Sequence, residues 1–215
     1  MKYLLSFFIV MIVSLFAVAQ ENTVEERPDA VFMGNSITQN WRNFHPDYFT
    51  ENNFIGKGIG GEVTSQMLIR FRKDVILLQP KVVVIFAGTN DIAQNQGYVT
   101  HRQIMDNIAS MADLARFHDI KVVLCSVLPA GKYIWRPEEF NQMVRPAEAI
   151  VRLNRMIAEY ARENDCRYVD FWTLMSDGEG AMKKELSGDG VHPYPEAYFA
   201  MEALLTPVIK EFCEP

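Results

Sequence analysis

Four short stretches of the chain carry side chains suited to acyl transfer. Gly34-Asn35-Ser36-Ile37-Thr38 follows an apolar run and offers a hydroxyl, Ser36, where a helix would open. There the serine's own N–H would face outward with the positive end of the helix behind it. The same place also suits a plain N-cap, for which serine is a preferred residue. Gly58-Ile59-Gly60-Gly61 would let the backbone approach a ligand and turn N–H groups toward it. Alone it reads equally as an ordinary glycine loop, and it is no phosphate loop, because no Gly-Lys-Ser/Thr follows. Ala87-Gly88-Thr89-Asn90-Asp91 supplies a carboxamide at Asn90 that cannot titrate and suits an oxyanion, although asparagine is also favoured in turns for its local hydrogen bonds. In Asp189-Gly190-Val191-His192-Pro193 a carboxylate precedes an imidazole by three residues. It can fold back onto Nδ1 and leave Nε2 free to act as a base. Each stretch is a weak signal by itself. Together they supply a nucleophile (Ser36), backbone donors, a side-chain donor (Asn90), and a base (His192) with its orienting carboxylate (Asp189).

The elements that must position these groups alternate along the chain. Ala30 to Gly34, Phe54 to Gly58, Val82 to Phe86, Ile120 to Leu128 and Tyr168 to Phe171 read as strands; the first and third are continuously apolar, as strands buried on both faces of a parallel sheet are. Helical spacing of apolar residues predicts helices over 63–78, 100–118, 146–164 and 195–212. Such alternation predicts a three-layer α/β/α sandwich of about five parallel strands. In that architecture chemistry sits at the carboxyl ends of the strands, and three of the four stretches directly follow a predicted strand. The segment from Pro129 to Pro146 is long for a loop of this fold and follows the fourth strand. It predicts an overhang carrying Lys132, Tyr133, Trp135 and Arg136. Trp135 could stack on a sugar ring and Arg136 meet an acidic group; equally, the aromatic residues could pin the loop to the domain.

The chain has 215 residues, 49% hydrophobic and 22% charged, with a net charge of −6. That is enough for one core and argues against a nucleic-acid partner, which would need a basic face. Lys2, the apolar run Leu4 to Val18 and the small residues of Ala17-Val18-Ala19 read as a signal peptide over 1–19. A single domain then covers 20–215, in a chain expected to be exported, periplasmic or extracellular, with no stable membrane insertion after cleavage. A retained apolar anchor is the competing reading of those residues. Of the three cysteines, Cys125 lies in an apolar run and reads as a buried thiol. Cys166 and Cys213 could pair in an oxidising compartment, though their spacing does not call for it. None has metal-ligand spacing, and neither a metal nor another cofactor is expected. His45, His101 and His118 read as structural or solvated, Asp91 as a brace for the Asn90 turn, and Glu62 as a cap for the helix after it.

The set Gly-Asn-Ser-Ile-Thr, Gly-Gly-Glu-x-Thr, Gly-Thr-Asn-Asp and Asp-Gly-Val-His-Pro resembles the four blocks of the SGNH hydrolase superfamily, the GDSL-type esterases and lipases, over about residues 30 to 200. The resemblance implies a flavodoxin-like fold and a serine esterase. Ser36 would be both nucleophile and oxyanion N–H donor, Gly61 the second N–H donor, Asn90 the side-chain donor, His192 the base and Asp189 its partner. One departure is plain: the family's usual residue before the serine is Asp, and here it is Asn35, an isosteric side chain without the charge. The resemblance also implies a small-molecule or carbohydrate ester as substrate, with short acyl groups, acetyl foremost. A lysophospholipid or an acyl-thioester remains open, as does a non-catalytic carbohydrate-binding descendant of the same fold. A flavin-binding protein would need a phosphate-cradling loop after the first strand, which is missing.

Overall fold

The computed structural model describes residues 27–213; the signal segment read at 1–19 lies outside them. Strands β1 (Ala30–Gly34), β2 (Phe54–Gly58), β3 (Val82–Phe86), β4 (Lys121–Cys125) and β5 (Arg167–Val169) form one sheet in the order β2-β1-β3-β4-β5. Every neighbouring pair is parallel. In chain order the helices are α1 (Ser36–Phe44), α2 (Pro46–Glu51), α3 (Thr64–Asp74), α4 (Thr89–Ile92), α5 (His101–Phe117), α6 (Glu138–Val144), α7 (Pro146–Glu163), α8 (Phe171–Met175) and α9 (Ala197–Cys213).

The central strands β1 and β3 are buried over their whole length because helices cover both faces and side chains alternate between them. Val31, Met33, Val83, Ile85 and Leu124 face a core shared with Met67 and Phe71 of α3, Ile108 of α5 and Leu153 of α7. Phe32, Val84, Phe86 and Val123 face a second core with Trp41 of α1, Phe49 of α2, Phe171 of α8 and Tyr198 of α9. There the Phe32 ring meets Trp41, Phe49 and Phe54 at centroid distances of 5.5, 5.1 and 5.3 Å, within the range of favourable aromatic contact. The fold is therefore the three-layer α/β/α sandwich with a flavodoxin-like strand order. The chain leaves β1 toward β2, then crosses to β3 on the other side of β1. This reversal is where open α/β sheets place their sites.

Three predicted boundaries shift, each for a local reason. The fourth strand was expected to reach Leu128 but ends at Cys125. Beyond it the Asn154 side chain of α7 pairs with the backbone as a strand would: Val127 N–H donates to Asn154 Oδ1 at 2.8 Å, and Asn154 Nδ2 donates to the Val127 carbonyl at 2.9 Å. The fifth strand stops at Val169, because Asp170 accepts from Thr173 N–H at 3.0 Å and caps α8 from Phe171 on. The segment 129–146 is no plain loop: α6 occupies Glu138–Val144. Buried Tyr133 is pinned to α6 through its N–H, which donates to Asn141 Oδ1 at 2.8 Å. Cys125 is buried, and burial pushes its thiol pKa up. Among the described residues no disulfide joins Cys166 to Cys213; Cys166 Sγ donates to the Asn164 carbonyl at 3.4 Å, and Cys213 Sγ lies 3.8 Å from that of Asp29.

Asn154→Ala would strand a buried N–H and a buried C=O together. The expected loss is about 3 kcal/mol of unfolding free energy, read as a lower urea midpoint with unchanged slope.

Candidate active site

Ser36 is the first residue of α1, and the cap is its neighbour: Asn35 Oδ1 accepts from Ile37 N–H at 3.1 Å. The hydroxyl is thereby released from capping, and the Ser36 N–H, at the first helical position, has no intrahelical acceptor. Asn35 is buried at 3% exposure, so its neutral amide makes the capping bond without burying a charge. The first turn of α1 lies directly on the end of β2. A Cβ at Gly58 would stand 2.2 Å from Gln39 N and 2.6 Å from the Thr38 carbonyl carbon. Only glycine permits that approach.

Across from the serine stands His192. Its Nε2 is 2.9 Å from Ser36 Oγ, and its Nδ1 is 2.6 Å from Asp189 Oδ2. The carboxylate accepts the Nδ1 proton, which leaves Nε2 as the acceptor facing the serine hydroxyl. Asp189 also builds the loop that holds the ring, its Oδ1 accepting from the N–H groups of Val191 at 2.8 Å and His192 at 2.7 Å. Ser187 Oγ closes the same loop by donating to the His192 carbonyl at 2.8 Å and accepting from Gly190 N–H at 2.9 Å. Partial burial alone would raise the pKa of Asp189. The bonds from His192 and Val191 and the charge of His192 outweigh it, and the net shift is downward.

The candidate donors Gly61 and Asn90 follow the neighbouring strands β2 and β3. Gly61 has φ 78°, a conformation natural to glycine. Gln39 Oε1 holds the N–H of Gly60, at 2.7 Å, and not that of Gly61. Asn90, at 4% exposure, donates one Nδ2 hydrogen to the Glu62 carbonyl at 2.9 Å, and its Oδ1 accepts from Asn95 Nδ2 at 3.0 Å. A second Nδ2 hydrogen remains for a ligand. The Glu62 side chain does not cap α3 as expected; its carboxylate is taken by Arg70, 2.7 Å from Nε. Arg70 also donates to the carbonyls of Gly34 at 3.2 Å and Lys57 at 2.8 Å, fastening the ends of β1 and β2. Asp91 braces the start of α3 by accepting from Thr64 N–H at 3.0 Å and from Thr64 Oγ1 at 2.6 Å. Burial raises its pKa to about 6, against the opposing bonds from Thr64.

Trp135 is 42% exposed, with its ring 6.2 Å from that of His192. Its Nε1 donates to Asn95 Oδ1 at 3.3 Å, and Arg136 Nη2 donates to the same oxygen at 3.4 Å. The structure thus brings Ser36, Asp189, His192, Asn90, Trp135 and Arg136 together, and Gly61 adjoins the residue whose carbonyl holds Asn90. The other histidines serve the fold: His45 Nδ1 bonds Glu202 at 2.6 Å, His101 Nε2 the Ala149 carbonyl at 2.9 Å, and His118 ends α5. Among the described residues no group of three His, Cys, Asp or Glu side chains is placed to hold a metal ion. Sequence reasoning missed Ser187, Arg70 and Asn95. Ser187 lies two residues before Asp189 and was within reach as a loop-closing hydroxyl. Arg70 and Asn95 had no signal, since they act only on groups that folding brings to them.

The sequence profile of the GDSL-like Lipase/Acylhydrolase family matches residues 32–200. A GDSL-like lipase from Bacteroides thetaiotaomicron superposes with a TM-score of 0.82 and 41% identity, covering 92% of this chain and 95% of that one. A structure from Bacteroides fragilis gives 0.80 and 43%, covering 85% and 86%. Platelet-activating factor acetylhydrolase IB subunit alpha1 of Homo sapiens is 28% identical over 137 residues, 60% of this chain and 54% of that protein. The chain thus spans about half the length of the curated relatives it matches.

Asp91 has a raised pKa, so its stabilising contribution is complete below about pH 4 and is lost as pH rises through about 6. Two pH units correspond to about 3 kcal/mol. Relative to Asp91→Asn, the wild-type chain should lose up to that much stability between pH 4 and pH 7, measured by urea unfolding at each pH.

Proposed function

The chain belongs to the GDSL-like lipase/acylhydrolase family, and from that premise we propose that it is a carboxylic ester hydrolase, an exported serine esterase releasing short acyl groups, acetyl foremost, from carbohydrate. Ser36, His192 and Asp189 form the proposed triad. The observation that carries the reading is the 2.9 Å approach of Ser36 Oγ to an imidazole whose other nitrogen is 2.6 Å from a carboxylate.

In the proposed cycle His192 Nε2 takes the Ser36 proton as Oγ attacks the ester carbonyl carbon. Negative charge gathers on the carbonyl oxygen and meets the N–H groups of Ser36 and Gly61 and the free Nδ2 hydrogen of Asn90. The protonated imidazole then gives its proton to the departing alkoxide, leaving an acyl-serine. Water, deprotonated by the same nitrogen, attacks that ester and restores the hydroxyl. Asp189, held ionised by its lowered pKa, fixes the tautomer and balances the imidazolium. The acetyl preference draws on the name of the acetylhydrolase relative. The carbohydrate draws on Trp135, an exposed aromatic face beside the base. Arg136 would meet a polar or acidic group of the same substrate. Export draws on the Leu4 to Ala19 pattern, and an N-terminus at Gln20 in the protein recovered from its native host is the expected finding.

With 4-nitrophenyl acetate, Ser36→Ala should abolish turnover, and Asn90→Ala should stay folded while kcat falls about a hundred- to a thousandfold. A near-normal Asn90→Ala would remove it from the mechanism. Across 4-nitrophenyl esters from acetate to palmitate, and on acetylated oligosaccharides, rates should drop steeply beyond butyrate. Preference for long chains would favour a lysophospholipase or thioesterase instead, and absence of any Ser36-dependent release would favour a carbohydrate-binding protein.

A further inference from the structure

The Asn90 carboxamide helps catalysis only if its nitrogen, not its oxygen, faces the substrate. A primary amide can turn over by half a rotation at little steric cost, so something must set its polarity. On one side it meets the Glu62 carbonyl, 2.9 Å from Nδ2, which can only accept. On the other it meets Asn95, 3.0 Å from Oδ1, whose side chain is itself an amide and equally able to turn. The ambiguity ends one step further out. Asn95 Oδ1 faces the Trp135 indole N–H at 3.3 Å and the Arg136 guanidinium at 3.4 Å, and both can only donate. Asn95 must therefore turn its oxygen outward and its NH2 toward Asn90. A pure acceptor at one end and two pure donors at the other leave one arrangement in which every bond in the chain is made. The backbone reinforces it: Asn95 N–H donates to the Asn90 carbonyl at 3.0 Å, after a left-handed Gln94 with φ 55°.

We infer that Asn95 is a positioning residue, which sets the polarity of the Asn90 donor and takes its own orientation from Trp135 and Arg136 on the overhanging segment. The inference rests on the reading of Asn90 as an oxyanion donor. It gives the two substrate-facing residues a second role, since they orient the group that meets the developing charge as well as lining the approach to it.

Asn95→Asp is the discriminating variant. The carboxylate keeps the size of the side chain and still accepts from Trp135 and Arg136, so the fold should be undisturbed. It cannot donate to Asn90, and it draws the Asn90 NH2 away from the substrate. With 4-nitrophenyl acetate, kcat should fall about tenfold or more, short of the Asn90→Ala loss, while KM stays within about twofold and the urea midpoint holds or rises. In an Asn90→Ala background the same substitution should change kcat by less than about twofold, because neighbours acting through one group are non-additive. Equal losses in both backgrounds, or a normal kcat for Asn95→Asp in an enzyme that Ser36→Ala kills, would overturn the inference and leave the esterase reading intact. If Asn95→Asp does not fold, Asn95→Ala decides through the same cycle. A wild-type chain with no Ser36-dependent turnover would overturn both.

Discussion

Gly34 stands opposite Gly58 on one side and Phe86 on the other, so β1, β2 and β3 end at one level. Parallel register makes this a rigid constraint, because no strand can slide without turning every side chain to the wrong face. The three loops that follow leave side by side, and they carry Ser36, Gly61 and Asn90, the three proposed oxyanion donors. Arg70 reinforces the level from beneath by bonding the carbonyls of Gly34 and Lys57. Its largely buried charge is matched by Glu62 and Asp74. Taking one partner from such a group is more damaging than the pair is stabilising. Two of the proposed donors, Ser36 and Gly61, thus follow strand ends that Arg70 ties together.

The proposed base has a different support. His192 is not at a strand end but in a loop that holds its own shape through Asp189 and Ser187. What fixes that loop against the sheet is the helix after it. Tyr198 of α9 donates to the Ile37 carbonyl at 3.0 Å, within the first turn of α1, and Glu202 accepts from Trp41 at 2.9 Å. Ser36 opens one helix and the loop of His192 leads into the other, and the two helices are bonded directly to each other. The 2.9 Å spacing of Oγ and Nε2 is a property of that helix pair as well as of the loop.

The central layer was legible because its physics is local to the chain. Val82 to Phe86 is an unbroken β-branched and aromatic run, and the two-faced burial it implies is what the strand has. Helix α5 was legible from the period of Ile104, Ile108 and Met111. The end of β4 was not, since Val122 to Leu128 stays buried throughout and is apolar but for Ser126, and what stops the strand is Asn154, which arrives from far along the chain. Helix α6 was hidden because it is only seven residues long: Phe140, Met143 and Val144 make a single helical turn of apolar spacing, too short to stand out as a period. In the site, Ser36, Asn90, Asp189 and His192 were readable because few side chains can do what they do and each stretch stood beside a strand or a turn. Asn95 was not, because a loop asparagine acquires its meaning only from the donors and acceptors that folding sets on either side.

Ser36 and His192 lie 156 residues apart in the chain. A ribosome makes the hydroxyl well before the imidazole, and α9, which bonds to the helix that carries the hydroxyl, follows both. All five strands precede the imidazole in the chain, so the proposed base is added to a sheet whose residues are already made. Docking of α9 is therefore the event that brings the imidazole to the hydroxyl, and on the proposed mechanism an ester is cleaved only once that docking is complete.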